Sequence, residues 1–152
     1  MNPPCVIEQA SLADLPRLVE LLSAEADSLS ASTLTEGVKA ALQQPDLGHI
    51  FVVREQGRIL AMATLVTTIS TAEGGWVAIL DDFTVEPARR NQGIGSHLLE
   101  AIRDYAAGQN LSRITIMPEG LNHSTRRFFQ KRGFAGSEMI TMQLPLARPQ
   151  AI

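Results

Sequence analysis

Three strand-like runs follow one another between residues 49 and 85, with only short polar breaks between them. The first two, at 49–54 and 59–69, flank the turn Glu-Gln-Gly-Arg, which is typical of a β-hairpin. The third, at 76–85, follows a Glu-Gly-Gly break. Because consecutive strands joined by short turns pair antiparallel, this stretch predicts the centre of an antiparallel sheet.

Helix and strand patterns alternate on both sides of this centre. Before it come a strand at 5–10, a leucine-rich helix that begins after Ser11, and a helix opened by a capping box of Thr33 and Glu36. After it come a helix at 94–108, a strand at 113–117, a helix at 122–132 and a strand at 138–144. The order β-α-α-β-β-β-α-β-α-β predicts an α/β fold. Its sheet is mixed, mostly antiparallel and flanked by helices, and the strand–helix–strand unit adds a parallel pair.

The composition fits one folded domain. The chain has 152 residues, 45% hydrophobic and 19% charged, which supplies enough apolar material for a core. We predict a single domain over residues 4–146 and a short C-terminal tail over 147–152. A net charge of -3 argues against a nucleic-acid partner, and the single cysteine, Cys5, excludes an internal disulfide or a cysteine-cluster zinc site.

Membrane and metal partners are not expected either. No run approaches the roughly 18 apolar residues of a membrane span, and the N-terminus lacks the layout of a signal peptide. His49 and His97 show no metal-ligand spacing. We therefore expect a soluble cytoplasmic protein that has no metal ion and acts on a small molecule or on another protein.

The most informative segment is the loop between the strand at 76–85 and the following helix. It holds two arginines and two glycines, in the run Arg89-Arg90-Asn91-Gln92-Gly93-Ile94-Gly95. Helix N-termini expose unpaired N–H groups and about half a unit of positive charge. Glycine lets a ligand approach the backbone closely, and Arg90 or Arg89 adds fixed guanidinium donors. This combination suits a pyrophosphate, although a plain strand-to-helix connection with a solvated arginine pair has the same sequence pattern.

Two other phosphate-binding motifs do not fit this loop. The dinucleotide fingerprint needs a third glycine where the chain has Leu98. The P-loop needs Gly-Lys-Ser/Thr, whereas Gly95 is followed by Ser96 and His97.

The loop resembles the Arg/Gln-x-x-Gly-x-Gly/Ala signature of the GNAT superfamily of acyl-CoA-dependent N-acyltransferases. About thirty residues later, the run from Asn122 to Phe134 is similar to that superfamily's Asn-x-x-Ala-x-x-Phe-Tyr-x-Lys-x-Gly-Phe segment. The order of elements is also similar to the GNAT fold, and the likeness spans residues 4–144. The segment Leu80-Asp81-Asp82-Phe83-Thr84-Val85 further resembles a strand of the spermidine/spermine acetyltransferase branch.

The resemblance implies that acetyl-CoA is the acetyl donor and co-substrate, and that the chain forms a homodimer. It assigns backbone groups of Phe83, Thr84 and Val85 to the pantetheine arm. It assigns the pyrophosphate to Arg90, Asn91, Gln92, Gly93, Ile94, Gly95 and Ser96. It places Asn122 near the pantetheine, and Phe128 and Phe129 at the thioester end.

Transfer of an acetyl group to an amine requires the neutral amine, which a carboxylate can generate by taking the proton. Asp81 and Asp82 lie in an otherwise apolar strand, and as neighbours in a strand they are expected to point to opposite faces. By the resemblance, Asp81 is the base and Asp82 helps to bind a cationic acceptor. Both could instead be half-exposed charges at the strand end. Glu86 and Glu119 are weaker candidates for the base.

Phe129 departs from the family pattern, which has a tyrosine at this position to protonate the leaving thiolate. We therefore predict an N-acetyltransferase that uses direct attack in a ternary complex on a primary amine, carried by a small molecule or a protein. The alternative is a non-catalytic acyl-CoA-binding or sensing module. The last helix carries four basic residues, Arg126, Arg127, Lys131 and Arg132. They form either a solvated face or contacts to the 3′-phosphate of coenzyme A.

Overall fold

The computed structural model describes residues 5–25, 29–117 and 123–147. The chain divides into two compact units, Met1–Met117 and Pro118–Ile152. The described elements of the first unit are β1 (Val6–Gln9), α1 (Leu15–Ser23), α2 (Ala31–Leu42), β2 (Gly48–Glu55), β3 (Arg58–Ser70), β4 (Gly75–Val85), α3 (Ile94–Gly108) and β5 (Ile114–Ile116). The second unit contains α4 (His123–Gln130).

The five strands form one sheet in the order β1-β2-β3-β4-β5. β1 to β4 pair antiparallel, and β5 pairs parallel to β4 after the crossover through α3. The predicted α/β class, with a mixed and mostly antiparallel sheet flanked by helices, is confirmed. The hairpin between β2 and β3 turns through Gln56 and Gly57, whose φ values of 51° and 79° match the two positive φ angles of a type I′ turn.

Helices cover both faces of the sheet, which explains why four consecutive residues of β2, Ile50–Val53, are buried. On one face, α1 and α2 pack against Ile50, Val52 and Met62. On the other face, α3 packs against the sheet, and the ring of Tyr105 lies 5.1 Å from that of Phe51, measured between centroids. Because side chains alternate along a strand, Phe51 and Val52 pack into hydrophobic cores on opposite faces of the sheet.

The structure corrects the predicted start of α2. The helix begins at Ala31, and the N-cap is Ser30, whose Oγ accepts the N–H of Thr33 at 3.2 Å. Thr33 is therefore the third helical residue and not the cap. Serine and threonine are both good N-caps, and the local pattern alone did not distinguish the two positions.

The predicted last strand, at 138–144, is wrong for this structure. The described residues after α4 contain no strand, and their backbone makes no ladder. The N–H of Met139 instead bonds to the hydroxyl of Ser137 at 3.2 Å. The alternating apolar side chains behind the prediction are exposed at Ile140, Met142 and Leu144. The pattern correctly marks a strand-like sequence, but a strand also needs a neighbour to bond with.

Histidines do not form a metal site in the described part of the chain. His49 Nδ1 lies 3.1 Å from Gln9 Oε1, and its ring packs edge-on against Tyr105. Within residues 5–25, 29–117 and 123–147, no three His, Cys, Asp or Glu side chains are grouped so that they could hold a metal ion. Within the same ranges, no helix has the length and apolar character needed to cross a membrane.

Leu18 tests the packing of α1 on the sheet because its side chain is fully buried. We expect Leu18→Ala to lower the free energy of unfolding by about 2–5 kcal/mol, through lost burial and a residual cavity. Urea unfolding followed by circular dichroism measures this change. Leu12→Ala is the matched control. Because Leu12 is 51% exposed, its truncation should lower the free energy of unfolding much less. Equal losses for the two variants would contradict the described packing.

Candidate functional site

β4 has neighbours of unequal length, and this inequality creates the site. On one side, β3 pairs with β4 as far as Val85. On the other side, in the part of the chain that the structure describes, β5 pairs with β4 only at Ala78, Ile79 and Leu80. The two neighbours therefore stop at different points along β4. The last five residues of β4 lie beyond the parallel pair, immediately before the glycine-bearing loop.

A β-bulge interrupts β4 within these last five residues. Met62 pairs with Thr84, and Thr64 pairs with Asp81, so Asp82 and Phe83 together stand opposite the single residue between Met62 and Thr64. Asp82 has a φ of 52°, in the left-handed region. Aspartate adopts this region more readily than most residues, and bulges of this kind re-aim side chains next to functional sites.

The bulge brings the two acidic side chains to one side of the strand. Asp81 is paired with Thr64, and the Thr64 hydroxyl donates a hydrogen bond to Asp82 Oδ2 at 3.2 Å. The Asp82 N–H donates to Asp81 Oδ1 at 2.9 Å. Thr64 is buried, whereas both aspartates are exposed. The expectation that the two aspartates point to opposite faces is therefore wrong, because it assumes an uninterrupted strand.

The loop after β4 has the backbone geometry of an anion site. A single 3-10 turn at Pro87–Arg89 leads into it, and Asn91 and Gly93 adopt φ values of 61° and 83°. Gly93 is the N-cap of α3, which begins at Ile94. Residues of positive φ curve the chain so that successive N–H groups face one concavity, and the helix dipole adds positive potential there. A Cβ at Gly93 would meet no atom within 4 Å, so its positive φ is what favours glycine.

The two arginines of the loop have different roles. Arg89 is a structural clamp, because its Nη1 and Nη2 donate to both carboxylate oxygens of Glu55, at 2.6 and 3.2 Å. Its Nε donates to Gln92 Oε1 at 3.0 Å. All three nitrogens of Arg89 are thus engaged, and the loop is tied to the end of β2. Sequence reasoning left the choice between Arg89 and Arg90 open, and these contacts favour Arg90 as the guanidinium for a ligand.

Arg90 is half-exposed and lies where the strand and the loop meet. Its Nε donates to the carbonyl oxygen of Val85 at 3.2 Å. Its Nη2 donates to Glu25 Oε1, a residue just beyond the end of α1. Nothing in the local sequence of the loop indicates this partner, which is 65 residues away along the chain.

Glu86 acts as the second clamp of the loop. Its Oε1 accepts hydrogen bonds from Arg58 Nη2 at 2.6 Å and from Arg17 Nη2 at 3.0 Å. Arg17 also donates through Nε and Nη2 to the carbonyl oxygen of Ile59. The hydrogen bond from Arg58 is the main cause that lowers the pKa of Glu86, and Arg17 adds to it against the opposing effect of burial. A carboxylate held by two guanidinium groups is a poor proton acceptor, so Glu86 is not a suitable base.

In the second unit, Phe129 is buried among aromatic rings. Its ring centroid lies 5.1 Å from that of Phe128 and 5.3 Å from that of Phe134, in edge-to-face contacts. The guanidinium of Arg132 lies 3.8 Å above the ring of Phe128, a cation–π geometry, and donates to its carbonyl oxygen. Asn122 and Glu119 lie outside the described residues. The roles predicted for Asn122, Phe128 and Phe129 stay predictions.

A family model described as "Acetyltransferase (GNAT) family" matches residues 15–134. This range contains both the glycine-bearing loop and α4. The chain belongs to the GNAT family of acetyltransferases. It is an acetyltransferase that depends on acetyl-CoA, as predicted. The finer resemblance to the spermidine/spermine branch stays a prediction.

Relatives of this GNAT chain agree with that assignment. It is 26% identical over 131 residues to the "Uncharacterized N-acetyltransferase YhfO" of Bacillus subtilis, covering 84% of this chain and 88% of that protein. It is 32% identical over 144 residues to an "Amino-acid acetyltransferase" of Pseudomonas putida. That match covers 94% of this chain but only 30% of the longer relative.

The fold of the GNAT chain also has solved counterparts. One is a "predicted acetyltransferase with acetyl-CoA" from Clostridium acetobutylicum, with a TM-score of 0.76 and 18% identity over 92% of this chain and 96% of that one. At this identity the likeness concerns the fold.

The ion pairs Arg89–Glu55 and Arg58–Glu86 predict how the free energy of unfolding depends on pH. The pKa of Glu55 is lowered mainly by its hydrogen bond to Arg89, and that of Glu86 mainly by Arg58. A carboxyl group with a lowered pKa in the folded state stabilises the fold above its unfolded pKa, and this contribution is lost as pH falls through the folded pKa. We therefore expect the free energy of unfolding to fall between about pH 5 and pH 3.

Glu86→Gln should reduce this dependence, since the variant has no carboxyl group to protonate there. Urea unfolding at several pH values should show a variant that is less stable than wild type at pH 7, with the difference shrinking towards pH 3. Glu100→Gln, on an exposed position of α3, is the control and should follow wild type. A difference between Glu86→Gln and wild type that stayed constant with pH would contradict the clamp.

Proposed function

We propose that the chain is an N-acetyltransferase that transfers the acetyl group of acetyl-CoA to a primary amine of a small, amino-acid-like acceptor. The observation that carries the proposal is the pair of exposed carboxylates, Asp81 and Asp82, on one side of β4 where its pairing with β5 has ended. The amino-acid acetyltransferases among the relatives support an acceptor of this class. A protein amine is the other acceptor that the sequence leaves open.

The donor binds along the end of β4 in this proposal. Backbone groups of Phe83, Thr84 and Val85 bond to the pantetheine arm as a neighbouring strand would, and the loop from Arg90 to Ser96 holds the diphosphate. The position of the bulge and the positive φ values of Asn91 and Gly93 support this arrangement. A related fold with acetyl-CoA in its crystal structure supports it too.

The chemical problem is the proton on the acceptor. An alkyl amine has a pKa near 10.4, so forming the neutral amine at pH 7 costs about 4–5 kcal/mol. In the proposed reaction, the amine nitrogen attacks the thioester carbon, the C–S bond breaks, and CoA leaves as the thiolate. Before the attack, one proton of the ammonium group passes to Asp81, directly or through a water molecule. The second proton, which the nitrogen loses after the attack, goes to the departing thiolate, directly or through solvent. Asp82, oriented by Thr64, binds the cationic form of the acceptor before this transfer.

The extent of the domain, its cellular location and its partners are part of the same proposal. The family match spans both compact units, which supports one acetyltransferase domain over residues 4–146. Acetyl-CoA as donor supports a cytoplasmic location, and neither nucleic acid nor a membrane is needed. A homodimer is expected from the family resemblance, and the exposed pair Ile69 and Trp76, opposite each other in β3 and β4, offers an apolar surface for it.

Turnover with a panel of acceptors tests the function. The panel contains free amino acids, polyamines and a lysine peptide, and the release of CoA thiol is measured against acetyl-CoA alone. We expect release above background with at least one amino acid and much weaker release with the peptide. Binding of acetyl-CoA without release on any amine would support the acyl-CoA sensing module instead, for which the phenylalanine at position 129 is the motivating feature.

Asp81→Asn tests the proposed base. We expect kcat at pH 7 to fall about 10²-fold or more, with the KM for acetyl-CoA unchanged, because the variant keeps the strand but cannot accept the proton. The deficit should shrink near pH 9.5, where the acceptor is increasingly neutral in solution.

Asp104→Asn provides the matched control for this pH series, since Asp104 is an exposed residue of α3. It should keep the wild-type kcat at both pH values. If Asp81→Asn has the same relative activity at pH 7 and pH 9.5, Asp81 is not the base.

A further inference from the structure

The guanidinium assigned to the diphosphate already has an anionic partner within the chain. Arg90 Nη2 donates to Glu25 Oε1, while Arg90 Nε donates to the carbonyl oxygen of Val85. A carboxylate and a phosphate group use the same N–H donors of arginine. The two anions therefore compete for one set of donors.

Glu25 has a defined position from which to compete. Its backbone N–H donates to the carbonyl oxygen of Leu22 at 3.1 Å, so its main chain continues the end of α1. Leu22 is buried, as are Leu18 and Leu21 of the same helix. The carboxylate of Glu25 is thus delivered to Arg90 by a helix that is packed on the sheet.

We propose that Glu25 is an internal competitor of the cofactor for Arg90. The inference rests on the proposed function, in which Arg90 binds the diphosphate of acetyl-CoA. When the cofactor binds, Glu25 is displaced from Nη2. When CoA leaves, Glu25 returns and satisfies the guanidinium, which favours product release. Glu25 therefore sets the affinity for the cofactor without touching it.

The size of the effect follows from the exposure of the pair. The side chains of Arg90 and Glu25 are 47% and 44% exposed, and exposed ion pairs are weak. We therefore expect Glu25→Gln to tighten CoA binding by about two- to five-fold. The gain should shrink as salt is raised, because exposed charges are screened.

The experiment measures CoA affinity by calorimetry for five proteins at low salt: wild type, Glu25→Gln, Glu20→Gln, Arg90→Ala and the double variant. Glu20→Gln is the matched control. Glu20 lies in α1, five residues before Glu25, and the substitution removes the same charge, but Glu20 pairs with Arg17 and not with Arg90. We expect Glu25→Gln to bind CoA more tightly than wild type, Glu20→Gln to equal wild type, and Arg90→Ala to bind more weakly.

The double variant separates competition from simple charge repulsion. In the Arg90→Ala background, Glu25→Gln should give no tightening, since there is no guanidinium left to release. A Glu25→Gln affinity equal to wild type, or the same gain with and without Arg90, would overturn the inference while the proposed function stands. Wild-type affinity in Arg90→Ala would remove the proposed cradle, and no CoA binding by wild type would overturn the proposed function as well.

Discussion

The arrangement of the site depends on the unequal pairing of β4. A strand in the middle of a sheet normally has both sets of its backbone groups bonded to neighbours. In the part of the chain that the structure describes, β5 follows β4 for only three residue pairs, whereas β3 follows it to the end. The last residues of β4 are therefore paired with β3 on one side, while on the other side the described pairing with β5 has already ended. The bulge at Asp82 and Phe83 falls within this stretch, where it changes the direction of side chains, and the ladder to β3 resumes at Thr84.

Charge pairs then fix the loop that follows. Glu55 and Glu86 each hold the loop to the β2–β3 hairpin, through Arg89 and through Arg58 respectively. The lowered pKa values of both carboxyl groups show that these contacts favour the ionised form. A site for a charged ligand gains from such preorganisation, because the loop does not have to be ordered at the moment of binding. Of the loop's two arginines, Arg89 is used entirely for this purpose, and the proposed function assigns the diphosphate to Arg90.

The sequence predicts the outline of this molecule well and its detailed contacts poorly, for a physical reason. Elements such as α3 and the β2–β3 hairpin follow from periodicity and turn chemistry, which are local. The loop at Gly93 could be recognised because glycine spacing before a helix is also local.

The bulge at Asp82 could not be predicted, since it depends on the register between β3 and β4. The adjacent aspartates were the available sign, because a polar pair that tolerates positive φ is unusual within an apolar strand. The sequence around Glu25 gave no indication that it pairs with Arg90, because that contact exists only through the tertiary fold. The strand expected at 138–144 failed for the related reason that a strand is a property of two segments and not of one.

The phenylalanine at position 129 can be weighed against the aspartate pair on energetic grounds. A thiol has a pKa near 8.5, so at pH 7 protonation of the departing thiolate is worth only about 2 kcal/mol. Deprotonation of the acceptor amine at the same pH costs about 4–5 kcal/mol. Help with the amine proton is therefore worth more than twice as much as help with the thiolate. An acetyltransferase that lacks the tyrosine hydroxyl therefore forgoes the smaller of the two contributions, and the proposed roles of Asp81 and Asp82 address the larger one.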